Sequence, residues 1–282
     1  MPEHQQEKPM QANSEVVRIV QERDLFWAAV MFYTRLPTPR DTLHSQAVLN
    51  GSRKYFPLIG LLIGLIASIV YLISSQVFNT ELSLALSMVS TILATGAFHE
   101  DGFADSCDGF GGGWAKDDVL KIMKDSRVGT YATLGLISIL TVKFLSLVAL
   151  ATTHSVIIVC SALIAGHAIS RSLASIMIEL FDYVQDIDQS KVKPVTEQAL
   201  SKSSQIIALS FSSLALLALA VVLNNEMLAQ LLLAVIISAI VALSFMAYSR
   251  HRIGGYTGDV LGGVQQLSEV TFYLSLAATL SA

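Results

Sequence analysis

Apolar and polar positions alternate along this chain in long blocks. Seven apolar blocks, at roughly 55–78, 82–98, 131–151, 155–179, 205–223, 227–248 and 265–281, are each near the length of about 20 residues that an α-helix needs to cross a bilayer. The second and the last sit at the lower limit. Leu, Ile, Ala, Ser and Gly dominate the blocks, and small residues of this kind let membrane helices pack closely. A shorter apolar run, Leu25 to Tyr33, has nine residues and ends in Thr34-Arg35-Leu36-Pro37-Thr38-Pro39-Arg40. Too short to span, it is expected as an interfacial or re-entrant helix. Residues 1–24 are polar, lack a signal-peptide pattern, and are expected as a disordered or surface-lying extension. The predicted fold is all-α: a polytopic membrane bundle of about seven transmembrane helices, with residues 25–282 forming one membrane-embedded domain.

Composition points the same way. Hydrophobic residues make up 53% of the 282 and charged residues 14%, against about 25% charged in a soluble domain; mean hydropathy is +0.59. So little polar surface cannot cover a water-facing globule. A formal net charge of −4 offers phosphate backbones no attraction, which argues against nucleic-acid partners. Cys107 and Cys160 give no disulfide framework. The basic residues then set the orientation. Connections 79–81, 152–154 and 224–226 hold no Lys or Arg, whereas sixteen of the eighteen lie in the N-terminal part and in loops 99–130, 180–204 and 249–264. By the positive-inside rule the N-terminus and every long loop face the cytoplasm, and the C-terminus faces the opposite side. An active site is accordingly expected on the cytoplasmic face, in loops 99–130 and 249–264.

Seven of the 22 acidic residues fall between Glu100 and Asp125. In His99-Glu100-Asp101-Gly102-Phe103-Ala104-Asp105-Ser106-Cys107-Asp108-Gly109, Asp101, Asp105 and Asp108 are spaced i, i+4 and i+7, so a helix puts all three on one face. Three carboxylates on one face repel unless a cation sits among them, and acids continuing straight from an apolar span are expensive. A hard divalent ion such as Mg²⁺, which takes oxygens from one or two carboxylates and from substrate phosphates, answers both difficulties. A solvated acidic loop is the plainer alternative. Gly109 and Gly111-Gly112-Gly113 follow, either as backbone open to a diphosphate or as a linker that ends the helix. Lys121, Lys124 and Arg127 share a helical spacing and offer cations to phosphate oxygens, with Asp125 as a further candidate metal ligand. Flanking charge of the ordinary cytoplasmic kind is the alternative for the lysines.

The last long loop, Arg250 to Gly263, gathers five glycines around Asp259 within ten residues, a pattern suited to close approach of backbone and ligand. Glu269, in the final apolar block, either faces the same site or is satisfied by a hydrogen bond inside the membrane. His167 and Arg171 are spaced i, i+4, and Arg171, near the end of its block, is expected to snorkel toward water. Lys143 lies near mid-block and is expected to pair with an acid that the sequence does not identify. Cys107 reads as a small packing residue.

Five blocks carry a resemblance. They are Phe32-Tyr33-Thr34-Arg35-Leu36-Pro37-Thr38-Pro39, Phe56-Pro57-Leu58-Ile59-Gly60, His99-x-Asp101-Gly102-x-Ala104-Asp105-x-x-Asp108-Gly109, Ile122-Met123-Lys124-Asp125-Ser126-Arg127-x-Gly129, and Gly255-x-Thr257-Gly258-Asp259-x-Leu261-Gly262. In this order, from about Asp24 to the C-terminus, the chain resembles the cobalamin synthase family of adenosylcobinamide-GDP ribazoletransferases. Gly263 stands where that pattern has Ala. The resemblance implies a multi-pass enzyme of the bacterial inner membrane acting late in cobalamin assembly. Adenosylcobinamide-GDP would meet α-ribazole or its 5′-phosphate to give adenosylcobalamin or its 5′-phosphate, and GMP. The resemblance implies that the ribose 3′-hydroxyl would attack the cobinamide-side phosphorus of the diphosphate, a reaction that needs positioning and charge neutralisation more than covalent help. Mg²⁺ on Asp101, Asp105 and Asp108, with Asp125 as a further ligand, is the implied cofactor. Arg35, Lys124 and Arg127 would bind phosphate oxygens, with Thr257 also on the substrate side. Asp259 would complete the metal set or hold the ribazole. One carboxylate would accept the hydroxyl proton; Asp105 is taken for its central place, with Asp101 the other candidate. The implied partners are these small molecules and the lipid bilayer, with a homo-oligomer or a complex with other cobalamin-assembly enzymes left open.

Two alternatives compete. A CDP-alcohol phosphotransferase would share Asp105-x-x-Asp108-Gly109, but the Ala-Arg that should follow is replaced by glycines and the downstream Asp-x-x-x-Asp is missing. A cation-coupled transporter would place its carboxylates near the midplane in broken helices, whereas these gather at one aqueous edge.

Overall fold

The computed structural model describes residues 20–184, 199–223 and 225–280. The expectation for residues 1–19, and most of loop 180–204, lie outside the described residues. Within them are eleven α-helices: α1 (Glu22–Tyr33), α2 (Gln46–Ser52), α3 (Phe56–Ser74), α4 (Thr80–Thr95), α5 (Phe98–Gly112), α6 (Lys116–Met123), α7 (Thr130–Thr153), α8 (Val156–Leu180), α9 (Lys202–Val222), α10 (Asn225–Ile253) and α11 (Gly258–Leu280). The only extended pairing among the described residues is an isolated parallel bridge between Tyr183 and Tyr256. The protein is all-helical, and each of the seven apolar blocks is a helix.

Length and apolarity qualify five segments to cross a membrane: Gln46–Ser74, Thr130–Thr153, Val156–Leu180, Lys202–Val222 and Leu228–Ile253. Helix α4 qualifies only together with α5, beyond an 88° bend; the apolar part of that pair is α4, and acidic α5 turns away from it. The expected seventh span, α11, does not qualify. Its interior position explains why. It packs against α5, α7, α8 and α10, so Gln265, Gln266 and Glu269 are buried in protein and need not be apolar to face lipid.

Close backbone approach organises the rest. Helix α3 packs most extensively against α8, and a Cβ on Gly60 or Gly64 would lie 2.4 Å from the His167 carbonyl oxygen or 2.5 Å from the Ile164 Cα. Two small residues four apart thus let the helices touch. The ends of α3 and α8 are also tied by an ion pair between fully buried Arg53 and Glu179. Helix α1 begins at Glu22, three residues before the apolar run, because the Asp24 carboxylate accepts the Gln21 N–H at 3.0 Å and caps its first turn. The α4–α5 bend is made by Gly96 and Ala97, both left-handed at φ 67° and 57°.

Loops 99–130 and 249–264, expected as loops, are mostly helix. Helices α5 and α6 occupy the first, where Val119 and Met123 give α6 an apolar face to bury. In the second, α10 runs on to Ile253 and α11 starts at Gly258, leaving four connecting residues.

Candidate active site

Helices α5 and α11 cross where each carries a glycine. A Cβ on Gly102 would lie 2.9 Å from the carbonyl oxygen of Asp259, and one on Gly262 3.0 Å from that of His99. Only bare backbone permits this approach. It unites the His-x-Asp-Gly and Thr-Gly-Asp-x-Leu-Gly sequences, which lie far apart in the chain. Asp101, Asp105 and Asp108 share one face of α5, as their spacing predicts, and the crossing adds Asp259 from the first turn of α11. Thr257, fully buried, caps that turn: its Oγ1 accepts the Val260 N–H at 3.3 Å.

The carboxylates act on one another. Burial first, then the charges of Asp259, Asp101 and Asp108, push the Asp105 carboxyl up to about 7. Burial and then Asp101 push Asp259 up to about 6. Groups that raise each other in this way favour a cation between them. Among the described residues no three His, Cys, Asp or Glu side chains stand close enough to enclose a metal ion by themselves. An ion at this crossing would therefore take only one or two carboxylates and draw the rest of its shell from substrate oxygens and water, the coordination that Mg²⁺ adopts.

Asp108 has a second engagement. Its carboxylate accepts the backbone N–H groups of Gly129 at 2.6 Å and Ala132 at 2.9 Å, the N-cap and third residue of α7. A charge at this positive helix end fixes α7 to α5. Asp125 is not brought into the cluster. Arg127 holds it through contacts of 2.5–3.1 Å, and that pairing lowers its carboxyl to about 2. The helical spacing of Lys121, Lys124 and Arg127 breaks at Met123, where α6 ends; Lys124 caps the helix and Arg127 extends into solvent, its side chain 87% exposed. Arg35 lies at the α4–α5 bend, its backbone N–H bonded to the Ala94 carbonyl at 2.7 Å and its side chain packed over Gly96. That places it beside the start of α5.

The glycine run is not open to a diphosphate. Residues 109–112 lie inside α5, the Gly113 N–H donates to the Gly109 carbonyl, and Arg252 donates to the carbonyls of Phe110 and Gly113 at 3.3 and 2.6 Å. Burial and Asp108 push the Cys107 thiol up to about 11, which keeps it protonated, as a packing residue would be.

Behind the cluster a buried polar chain joins four helices. Glu100 accepts from Gln266 at 3.1 Å, Gln266 donates to Gln265 at 2.9 Å, and Gln265 reaches Ser170 at 3.0 Å and Glu269 at 2.6 Å. Lys143, whose partner the sequence left unnamed, pairs with Glu269 at 2.5 Å, and His167 Nδ1 lies 3.0 Å from the same carboxylate. Glu269 is thus satisfied inside the bundle rather than facing the site. Arg171 does not snorkel. It is 1% exposed and donates to the His167 carbonyl at 2.9 Å. Sequence reasoning missed Glu100, Gln265 and Gln266; two adjacent glutamines in an otherwise apolar block were the available signal. A larger cavity between α8 and α9, lined by Ser172, Glu179 and Gln205 among others, includes none of the clustered carboxylates.

Fold and site together define a multi-pass helical membrane protein with a cluster of carboxylates at one helix crossing. The chain belongs to the cobalamin-5-phosphate synthase family, whose model matches residues 25–277, and this makes it a transferase of cobalamin biosynthesis. It is 41% identical over 263 residues to an adenosylcobinamide-GDP ribazoletransferase of Shewanella frigidimarina, covering 93% of this chain and 97% of that protein. It is 40% identical over 257 residues to the ribazoletransferases of Vibrio cholerae serotype O1 (91% and 94% covered) and Shewanella amazonensis (90% and 95%). No solved structure matches significantly.

Proposed function

We propose that this chain joins adenosylcobinamide-GDP to α-ribazole or its 5′-phosphate and releases GMP, in a Mg²⁺-dependent phosphoryl-type transfer at the cytoplasmic face of a bacterial inner membrane. The observation that carries the reading is the α5–α11 crossing, which brings Asp259 near enough to Asp101 and Asp105 for the carboxyls to raise one another. Mg²⁺ held there would neutralise diphosphate oxygens and ease departure of GMP. The chain's own residues do the remaining work. Asp105, half-buried among the other carboxylates, accepts the proton of the attacking 3′-hydroxyl. Arg35 at the bend and the exposed Lys124 and Arg127 offer cations to phosphate oxygens at the rim. Asp108 holds α7 against α5, and the Glu100–Gln266 contact holds α5 against α11. The two helices that carry the carboxylates therefore stay in register, as positioning catalysis requires. The transporter alternative fits less well, because the charge deep in the bundle is already paired, Lys143 with Glu269.

The test is incubation of the purified protein with adenosylcobinamide-GDP, α-ribazole and Mg²⁺, with products identified by mass. Formation of the joined corrinoid and GMP, abolished by a chelator, is expected. CMP release from a CDP-alcohol, or substrate transport without GMP, would replace the reading.

A further inference from the structure

Helices α8 and α9 part at the end of the bundle where residues 180–204 connect them, and a cavity of about 200 Å³ opens between them. Its walls are mainly apolar, with Ile176 and Leu180 on α8 and Ala208 and Leu209 on α9. Leu180, Leu209 and neighbouring Ile206 are exposed, so the mouth opens sideways through the apolar surface that these two spans turn to lipid. Two polar groups interrupt the walls. Ser175 and Glu179 stand one turn apart on the same face of α8, separated by about 6 Å of helical rise. A serine inside a helix ordinarily turns back to the carbonyl four residues earlier, as Ser68, Ser146 and Ser238 do. Ser175 does not: it is 6% exposed, lines the cavity, and its hydroxyl has no partner among the described residues. The oxygens of Glu179 are loaded unequally. Oε1 accepts from Arg53 and from the Leu200 N–H at 3.3 Å, whereas Oε2 accepts only from the Gln205 amide at 3.4 Å, longer than an ordinary hydrogen bond.

We propose that this cavity holds one phospholipid whose headgroup ends in a primary ammonium, of the phosphatidylethanolamine type, drawn from the leaflet at this end of the bundle. One acyl chain lies along the apolar walls. Ser175 donates to the ester carbonyl at the head of that chain, and the ammonium, a turn nearer the water, donates to Glu179 Oε2. Exposed Lys202, the first residue of α9, meets the phosphate. The polar groups select this occupant over others that would fill the same space. A detergent or a free acyl chain has no cation to offer Oε2. An anionic lipid brings a phosphate without an ammonium, and a choline headgroup carries its charge without an N–H to donate. The cavity includes none of the clustered carboxylates, so the lipid site does not depend on the ribazole-transfer reading.

The test uses the full chain in mild detergent with equimolar phosphatidylethanolamine, phosphatidylcholine and phosphatidylglycerol of one acyl composition, and native mass spectrometry reads the lipid retained. One phosphatidylethanolamine per chain is expected, preferred about tenfold over each of the others, the scale of one hydrogen bond to a charged group. Ser175→Phe fills the cavity without touching the Arg53–Glu179 pair and should lose the adduct. Ser175→Ala keeps both the space and the fold and removes only the donor, so retention should fall about fivefold, the scale of one neutral hydrogen bond, with the headgroup preference kept. Should Ser175→Phe fail to fold, Ser175→Ala and the wild-type preference decide the matter. Equal retention of the three lipids would show an unspecific lipid shell, and wild-type retention in the Ser175 variants would put the bound lipid elsewhere. A dimer mass in place of the lipid would assign the cleft to a second copy of the chain. Each of these results, like the absence of any lipid adduct, would overturn the proposal.

Discussion

Gly102 of α5 and Gly262 of α11 face each other so closely that a Cβ on Gly262 would lie 3.1 Å from the Cα of Gly102. The pair sets the distance between Asp101 and Asp105 on one helix and Asp259 on the other. Gly102→Ala should drive its new methyl against the Asp259 backbone, and displacement on the order of 1 Å can cost about a hundredfold in rate. GMP release is expected to fall by about that factor, with the protein still inserted and helical by circular dichroism. Wild-type turnover would mean the crossing does not set the site.

Asp108 separates helix capping from metal binding. Asp108→Asn would turn an NH₂ toward one of the two N–H groups that the carboxylate now accepts. The loss of a cap of this kind is worth about 1 kcal/mol, up to about 2. A lowered melting temperature is expected, and added Mg²⁺ should not restore it. An unchanged melting temperature would remove the capping role.

Lys143 and Glu269 form an ion pair buried on both sides. Lys143→Met removes the cation from Glu269 and leaves the carboxylate to Gln265 and His167, and breaking a buried pair from one side costs about 3–5 kcal/mol. Lys143→Met with Glu269→Gln should recover much of that loss. Thermal unfolding of the three proteins in one detergent measures the coupling; additive losses would show that the two side chains stand independently.

What the sequence could and could not reveal follows from the range of each interaction. The seven apolar helices and the α5 carboxylate face were legible because they are local: helical period and block length suffice. The bend at Gly96-Ala97 was not, because an alanine at φ 57° is imposed by its surroundings rather than by its own preference. Lys143 could be expected to have a partner, but only the packing of α7 against α11 names Glu269. Block 265–281 falls outside the length-and-apolarity test for a span because Gln265, Gln266 and Glu269 are polar for interior reasons. The glycine run 109–113 was ambiguous in sequence, and its use in helix packing became visible only with Arg252 on its carbonyls.

Orientation is open to direct measurement. In a chain with Cys107 and Cys160 replaced by serine, single cysteines at Gln76 and Asp117, both exposed, should differ. A membrane-impermeant thiol reagent added to intact cells should label Gln76→Cys and leave Asp117→Cys untouched. The reverse pattern would invert the topology.

The central claim is the proposal that a cation held by one or two of Asp101, Asp105 and Asp259 acts on a diphosphate. GMP release titrated against Mg²⁺ tests it, for Asp101→Asn, Asp105→Asn and Asp259→Asn beside Asp117→Asn, an exposed acid of α6 outside the cluster. Each cluster variant keeps its side-chain shape and loses one negative charge. The account predicts at least a tenfold loss of GMP release in all three, partly recovered at high Mg²⁺ where affinity alone has fallen, with the control near wild type. Equal activity and one common Mg²⁺ dependence across all four variants would contradict it.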